Sequence, residues 1–284
     1  MEAYVMDAFS ASLFGGNQAG VVLPDRPLTD AEMQQIAAEF KHSETAFVTR
    51  SPDGIVILRY FTPAGEVELC GHATIASFAL LRALGRIGDG DITAHTKAAD
   101  LTIGVRGGTG WMDMAPPHWI RELTEPELPE LYEAYGLTPA DRPDSLLPAI
   151  VSTGLGDIMM PVRDRDTLLR AVQNEPAVTA LSRRYDVTGV HMFCLGDDCT
   201  AYCSNYAPLY DIPEECATGT SNGALTYYLY RHGMVQPEQE NVFLQGEHMH
   251  RPSEIRSRLY ADGDTVTVRV GGRAVMSMSC DIKL

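Results

Sequence analysis

The sequence predicts an α/β fold made of two similar halves, and three observations lead there. Short runs of strand type interleave with amphipathic helical segments along the whole chain, as in a mixed α and β protein. Two helical segments each follow a turn that carries a cysteine, and an offset of 146 residues, close to half the chain, maps Cys70 onto Cys216 and Thr74 onto Thr220. The chain has 284 residues, 45% hydrophobic and 21% charged, which suits a folded protein of one large domain or two small ones.

Each element has its own signal. Residues 4–9 and 17–23 read as strands joined through the turn at Gly15-Gly16. Thr29 with Glu32 three residues on is a capping box, after which Met33, Ile36, Ala37 and Phe40 fall on one helical face. Residues 45–49 and 55–61 read as strands, the second alternating Ile55, Ile57, Arg59 and Phe61 against Val56, Leu58 and Tyr60. The stretch from Ala73 to Leu84 is apolar almost all round, the pattern of a buried helix, and Gly85 supplies a stop. Pro and Glu then accumulate from Ala115 to Asp144 around short helical pieces, which suits a connection between halves. The expected division is 1–117 and 118–284, with the C-terminal strand 274–284 crossing over to the first half. In the second half, residues 151–161 read as a strand pair, 164–173 as a helix, and 191–195 and 200–204 as strands. The small-residue run Cys216 to Gly223 opens a helix through Tyr230 that closes near Gly233.

Charge narrows the partners. With 22 Lys+Arg against 38 Asp+Glu the formal net charge is -16, so the long-range field repels phosphate backbones and anionic headgroups; nucleic acid and membranes are not expected partners. No apolar run approaches the roughly 18 to 20 residues of a membrane span, and Met1 to Gly15 lacks signal-peptide character, so a cytoplasmic protein is expected. Its cysteines, Cys70, Cys194, Cys199, Cys203, Cys216 and Cys280, are then expected to be reduced.

Two motifs carry the candidate chemistry: Cys70-Gly71-His72-Ala73-Thr74 and Cys216-Ala217-Thr218-Gly219-Thr220-Ser221-Asn222-Gly223. A thiol at a helix start has its thiolate favoured by the helix dipole, and the free N–H groups beside it can hold a carboxylate. Two such thiols on opposite faces of a carbon acid, one as thiolate base and one as thiol acid, are what racemisation or epimerisation without a cofactor needs. Taken singly, either cysteine reads first as a small core side chain, and it is the matched pair that favours chemistry.

Other chemistries have little support. The spacing of Cys194, Cys199 and Cys203 lacks a paired Cys-x-x-Cys, and His248 with His250 would share a strand face without a third ligand, so no metal is expected. Lysine occurs only at Lys41, Lys97 and Lys283, none in a context that suggests a Schiff base. Gly104 to Gly110 does not follow the dinucleotide fingerprint, and no P-loop is present. No cofactor is expected.

A resemblance adds to this reading. Asp7-Ala8-Phe9, Phe14-Gly15-Gly16-Asn17-Gln18-Ala19-Gly20-Val21-Val22, Ser43-Glu44-Thr45-Ala46-Phe47-Val48 and Phe61-Thr62-Pro63 are followed by the first cysteine motif. Glu214-Glu215-Cys216-Ala217-Thr218-Gly219-Thr220, Gln245-Gly246 and Arg251-Pro252-Ser253 come later. In this order they resemble the phenazine-biosynthesis isomerase (PhzF-like) family over nearly the whole chain. The resemblance implies the diaminopimelate-epimerase fold: two pseudo-symmetric α/β halves, each a curved sheet or barrel around a central helix, with the active site in the cleft. It also implies a homodimer.

By the same resemblance Glu44 is a catalytic carboxylate, His72 a catalytic histidine, and Glu215 stands where the phenazine enzymes carry an Asp. Cys70 and Cys216 occupy the places of the two catalytic thiols of the diaminopimelate epimerases and proline racemases, so the chain combines features of both branches. The reading is a cofactor-independent isomerase, of racemase or epimerase type, acting on a small amino-acid-like carboxylate. Its thiols Cys70 and Cys216 face each other across an interdomain cleft, and Glu44, His72 and Glu215 complete the catalytic set. Asn17, Gly71, Ala73, Thr218, Gly219 and Thr220 bind the substrate. Two alternatives stand beside it: a phenazine-type isomerase in which Glu44 moves a proton along a cyclic or conjugated amino acid, and a non-catalytic binder of small carboxylates.

Overall fold

The structure, a computed structural model, describes residues 1–283, and the chain separates into two units: Met1–Asp113 with the stretch from Gly271 on, and Met114–Val270. In the first unit β1 (Glu2–Ala8) runs antiparallel to β2 (Asn17–Leu23). Helix α1 (Asp30–Phe40) leads to β3 (Thr45–Arg50), parallel to β2, and to β4 (Val56–Phe61), antiparallel to β3. The short β5 (Glu66–Val67) precedes helix α2 (Gly71–Ala83), after which β6 (Gly90–His95) pairs parallel with β4 and β7 (Asp100–Arg106) and β8 (Thr109–Asp113) follow antiparallel.

The second unit repeats this plan. It begins with β9 (His118–Glu122) and helix α3 (Leu128–Glu133); β10 (Ala149–Ser152) and β11 (Gly156–Pro161) then pair antiparallel. Helices α4 (Arg165–Arg170) and α5 (Glu175–Tyr185) lead to β12 (Gly189–Leu195), parallel to β11, and β13 (Ala201–Ala207), antiparallel to β12. Then come β14 (Ile212–Glu215), helix α6 (Gly219–Arg231), β15 (Glu240–Gln245) parallel to β13, β16 (Ser253–Asp262) and β17 (Thr265–Gly272). The sense of each pairing matches its counterpart in the first unit. The edge partner differs in origin: β10 pairs with β9, just before it in the chain, whereas β1 pairs with the last strand, β18 (Ala274–Asp281).

Local chemistry explains the elements. Thr29 accepts the Glu32 N–H at 3.2 Å while the Glu32 carboxylate accepts the Thr29 N–H at 2.8 Å, so α1 opens on the expected capping box. Its Met33, Ile36 and Ala37 pack with Ala3, Val22, Phe47 and Phe61. Helix α2 is buried almost all round, and its hydroxyls are satisfied inside that setting: Thr74 Oγ1 donates to the Cys70 carbonyl and Ser77 Oγ to the Ala73 carbonyl, each at 2.7 Å. Thr226 in α6 does the same with the Asn222 carbonyl at 2.8 Å. An all-round apolar helix can therefore occupy the middle of its unit without stranding polar atoms.

Three expectations change. Residues 115–144 are not a connection: Leu128, Leu131, Tyr132 and Tyr135 are fully buried and share a core with Ile158, Met160, Val178 and Met192. The Pro and Glu residues that disguised this stretch sit at helix starts, where Thr124 and Glu127 form a second capping box. Helix α5 is an addition to the sequence reading, and it holds Pro176 in its first turn, where the missing N–H costs nothing. His248 and His250 lie in a turn rather than on a strand, and His248 Nε2 donates to the Leu169 carbonyl at 3.0 Å. Among the described residues no helix is long and apolar enough to cross a membrane.

Candidate active site

The first cluster grows from the start of α2. Cys70 is its N-cap, with φ -142° and ψ 114°, and its carbonyl accepts the Thr74 N–H at 3.0 Å. The Thr74 hydroxyl meets Tyr60 of β4 at 2.7 Å, which ties the helix start to the sheet. The thiol makes no cap bond and lies instead 3.4 Å from His72 Nδ1. On the other edge of the imidazole, Nε2 lies 3.3 Å from Glu44 Oε2 and 3.5 Å from Ser43 Oγ.

Glu44 is held at the entry to β3, where its carbonyl accepts the Gly20 N–H at 3.1 Å. Gly20 is required there: a Cβ would come within 2.7 Å of Thr45 Oγ1. The Glu44 side chain retains 22% of its exposure, yet Oε2 is buried without a hydrogen-bond partner. Thus a carboxylate, an imidazole and a thiol converge within one unit, the groups proton transfer needs. Asn17 opens β2, Gly71 is the first residue of α2, and Ala73 is fully buried, so its methyl is core and only its backbone faces the helix start.

The second cluster surrounds the start of α6. Here the N-cap is Thr218, so by helix start the two units correspond at 148 residues, not 146. The extra two residues lie in β14, four residues long where β5 has two. Cys216 therefore stands two residues upstream of the cap position that Cys70 fills. Burial pushes its thiol up to about 11, helped by the Glu215 charge and opposed by Arg251. Glu215 is held by the Thr218 hydroxyl, which donates to Oε2 at 2.6 Å.

Gln245 braces this loop from β15. Its Nε2 donates to the Glu215 carbonyl at 2.7 Å and to Thr218 Oγ1 at 3.1 Å, and its Oε1 accepts from Asn222 Nδ2 at 2.8 Å. Gly246 follows at φ +84°, and a Cβ there would lie 2.4 Å from the Arg251 carbonyl and 2.8 Å from that of Cys216. Gly219 opens the helix, and the Thr220 carbonyl accepts from Thr153 Oγ1 at 2.8 Å.

Behind the brace lies a polar network that sequence reasoning missed. Asn222 Oδ1 is 3.3 Å from Nε2 of fully buried His191, whose Nδ1 is 3.2 Å from Asn205 Nδ2. The Asn205 amide nitrogen can only donate, so the histidine is neutral with its proton on Nε2; burial pushes it down to about 4. Asn205 also donates to Ser221 Oγ at 3.1 Å, and Ser221 donates to Asp157, whose carboxyl burial pushes up to about 6. Gln245 carried a signal in the sequence as part of the Gln245-Gly246 motif, and Ser221 and Asn222 as part of the second cysteine motif. Asp157, His191 and Asn205 are strand residues scattered over 49 positions with no local pattern.

Comparison with known proteins gives the cluster its setting. Residues 6–280 match the model of a family described as phenazine biosynthesis-like protein, PhzC-PhzF. An uncharacterized isomerase of Deinococcus radiodurans is 34% identical over 280 residues, covering 95% of this chain and 90% of that protein. The trans-2,3-dihydro-3-hydroxyanthranilate isomerase of Pseudomonas chlororaphis is 29% identical, covering 95% of each. Among solved structures, the PhzF-family phenazine biosynthesis protein of Bacillus anthracis superposes with a TM-score of 0.91 at 26% identity, covering 100% of this chain and 99% of that one. A probable proline racemase from Agrobacterium radiobacter shares the fold at a TM-score of 0.64 and 13% identity, covering 100% and 93%.

Proposed function

Since the chain belongs to the phenazine biosynthesis-like (PhzC-PhzF) protein family and is an isomerase, we propose that it moves a proton within a small amino-acid-like carboxylate without a cofactor, Glu44 acting as the acid and base. Glu44 takes a proton from one carbon, the double-bond electrons shift, and the same carboxyl returns the proton to another carbon on the same face. His72 fixes the carboxylate from beside Oε2, and Cys70 fixes the imidazole from its far edge. Free N–H groups at the start of α2 anchor the substrate carboxylate. The observation that carries this reading is Glu44 Oε2 itself, a buried carboxylate oxygen with no hydrogen-bond partner. The substrate class is a cyclic or conjugated amino acid, by analogy with the anthranilate derivative named for the Pseudomonas chlororaphis relative.

The test is incubation in heavy water with a panel of cyclic and open-chain amino acids, the dihydro-hydroxyanthranilate included, followed by NMR. Deuterium entering a ring position of a conjugated substrate supports the Glu44 reading; exchange confined to an ordinary α-carbon overturns it in favour of the thiol pair. One observation speaks for that second reading: Cys216 is kept protonated to about pH 11, as a thiol acid must be.

A further inference from the structure

We propose that Glu44, Cys70 and His72 also form a binding site for one thiophilic divalent cation of the Zn²⁺ type, with a fourth position open to water or an anion. The three side chains offer a carboxylate oxygen, a thiol sulfur and an imidazole nitrogen whose atoms all lie within 4.8 Å of one another. That mixture of hard, intermediate and soft donors suits zinc, which takes all three ligand types. The spacing suits it too. With metal bonds of about 2.0–2.3 Å in tetrahedral array, neighbouring ligand atoms stand roughly 3.3–3.6 Å apart. His72 Nε2 is 3.3 Å from Glu44 Oε2 and 3.9 Å from Cys70 Sγ, which stands nearer Nδ1 at 3.4 Å, so closing the site needs the thiol to rotate towards Nε2.

An independent feature points the same way. Glu44 Oε2 is buried and accepts no hydrogen bond, and the imidazole nitrogen His72 Nε2 stands beside it at 3.3 Å. A cation there would satisfy that oxygen and stabilise the deprotonated thiol together. The positions are also held from outside: Glu44 by the Gly20 N–H on its carbonyl, and Cys70 by its place as the N-cap of α2. The expectation of no metal from sequence rested on the spacing of Cys194, Cys199 and Cys203 and on His248 with His250 lacking a third ligand, whereas Glu44 lies 26 residues upstream of Cys70.

The test uses the full-length, reduced, metal-free protein titrated with Co²⁺ and then Zn²⁺. The expected result is one equivalent of Co²⁺ giving a thiolate-to-cobalt charge-transfer band and the visible spectrum of a tetrahedral ion, displaced by Zn²⁺. Cys70→Ser removes the charge-transfer band, His72→Asn and Glu44→Gln weaken binding by roughly tenfold or more, and Cys199→Ser leaves it unchanged. Glu44→Gln, at a partly exposed position, serves if the buried variants fail to fold. A wild-type protein without the thiolate band, a band that survives Cys70→Ser, or unweakened binding in Glu44→Gln overturns the proposal. Binding is read from the metal's own spectrum, so its failure leaves the isomerase reading untouched. Where both hold, the cation occupies the base, and Zn²⁺ inhibits turnover until a chelator removes it.

Discussion

Asp157 and His191 lie in the same buried network but pull the pH dependence of stability in opposite directions. Asp157 has a folded pKa raised from 3.8 to about 6, so its contribution is fully present below pH 3.8 and lost as the pH rises through 6. His191 has a folded pKa lowered from 6.5 to about 4, so its contribution is present above pH 6.5 and lost as the pH falls through 4. Each displacement is worth about 3 kcal/mol. In the wild type the two slopes nearly cancel between pH 4 and 6.

Asp157→Asn and His191→Gln therefore unmask opposite slopes. Relative to wild type, Asp157→Asn gains about 3 kcal/mol as the pH rises from about 4 to above 6, and His191→Gln gains a similar amount as it falls from about 6.5 to 4. Urea unfolding of the three proteins at half-unit steps from pH 4 to 7 reads these differences, with exposed carboxylates common to all curves cancelling. Difference curves flat to within about 0.5 kcal/mol would refute the placement of both groups as buried and titrating against burial.

The remaining predictions concern the clusters and their supports. Gly246→Ala places a Cβ against two carbonyls at positive φ and is expected to cost about 2 kcal/mol or more in urea unfolding. Thr29→Ala removes the reciprocal cap of α1 and lowers stability by about 1 kcal/mol, seen as a lower denaturant midpoint. Cys216, with its thiol pushed up to about 11, reacts slowly with iodoacetamide at pH 7, and its rate climbs about tenfold per pH unit up to that value; peptide mapping by mass spectrometry separates it from exposed Cys280.

Much of this architecture was legible because its signals are local. The capping box at Thr29, the alternation of residues 55–61 and the all-round apolar α2 each state their structure within about a dozen residues. Glu44 and His72 were legible as parts of motifs, although their meeting at 3.3 Å depends on the pairing of β2 with β3 and on the packing of α2. The 146-residue repeat was sound in outline and misleading at the helix starts, because two residues added to β14 shift Cys216 off the cap position without altering the motif's appearance. The network of Asp157, His191 and Asn205 left no trace, since buried polar partners on different strands obey no period.

The central claim is that Glu44, rather than the thiols, carries the proton. The measurement that tests it most directly is deuterium incorporation into the accepted substrate in heavy water, followed by NMR for wild type, Glu44→Gln and Cys216→Ser. Loss of exchange by a factor of about 10² to 10⁴ in Glu44→Gln, with Cys216→Ser near wild type, is the predicted result. Undiminished exchange in Glu44→Gln, with loss in Cys216→Ser, would contradict it.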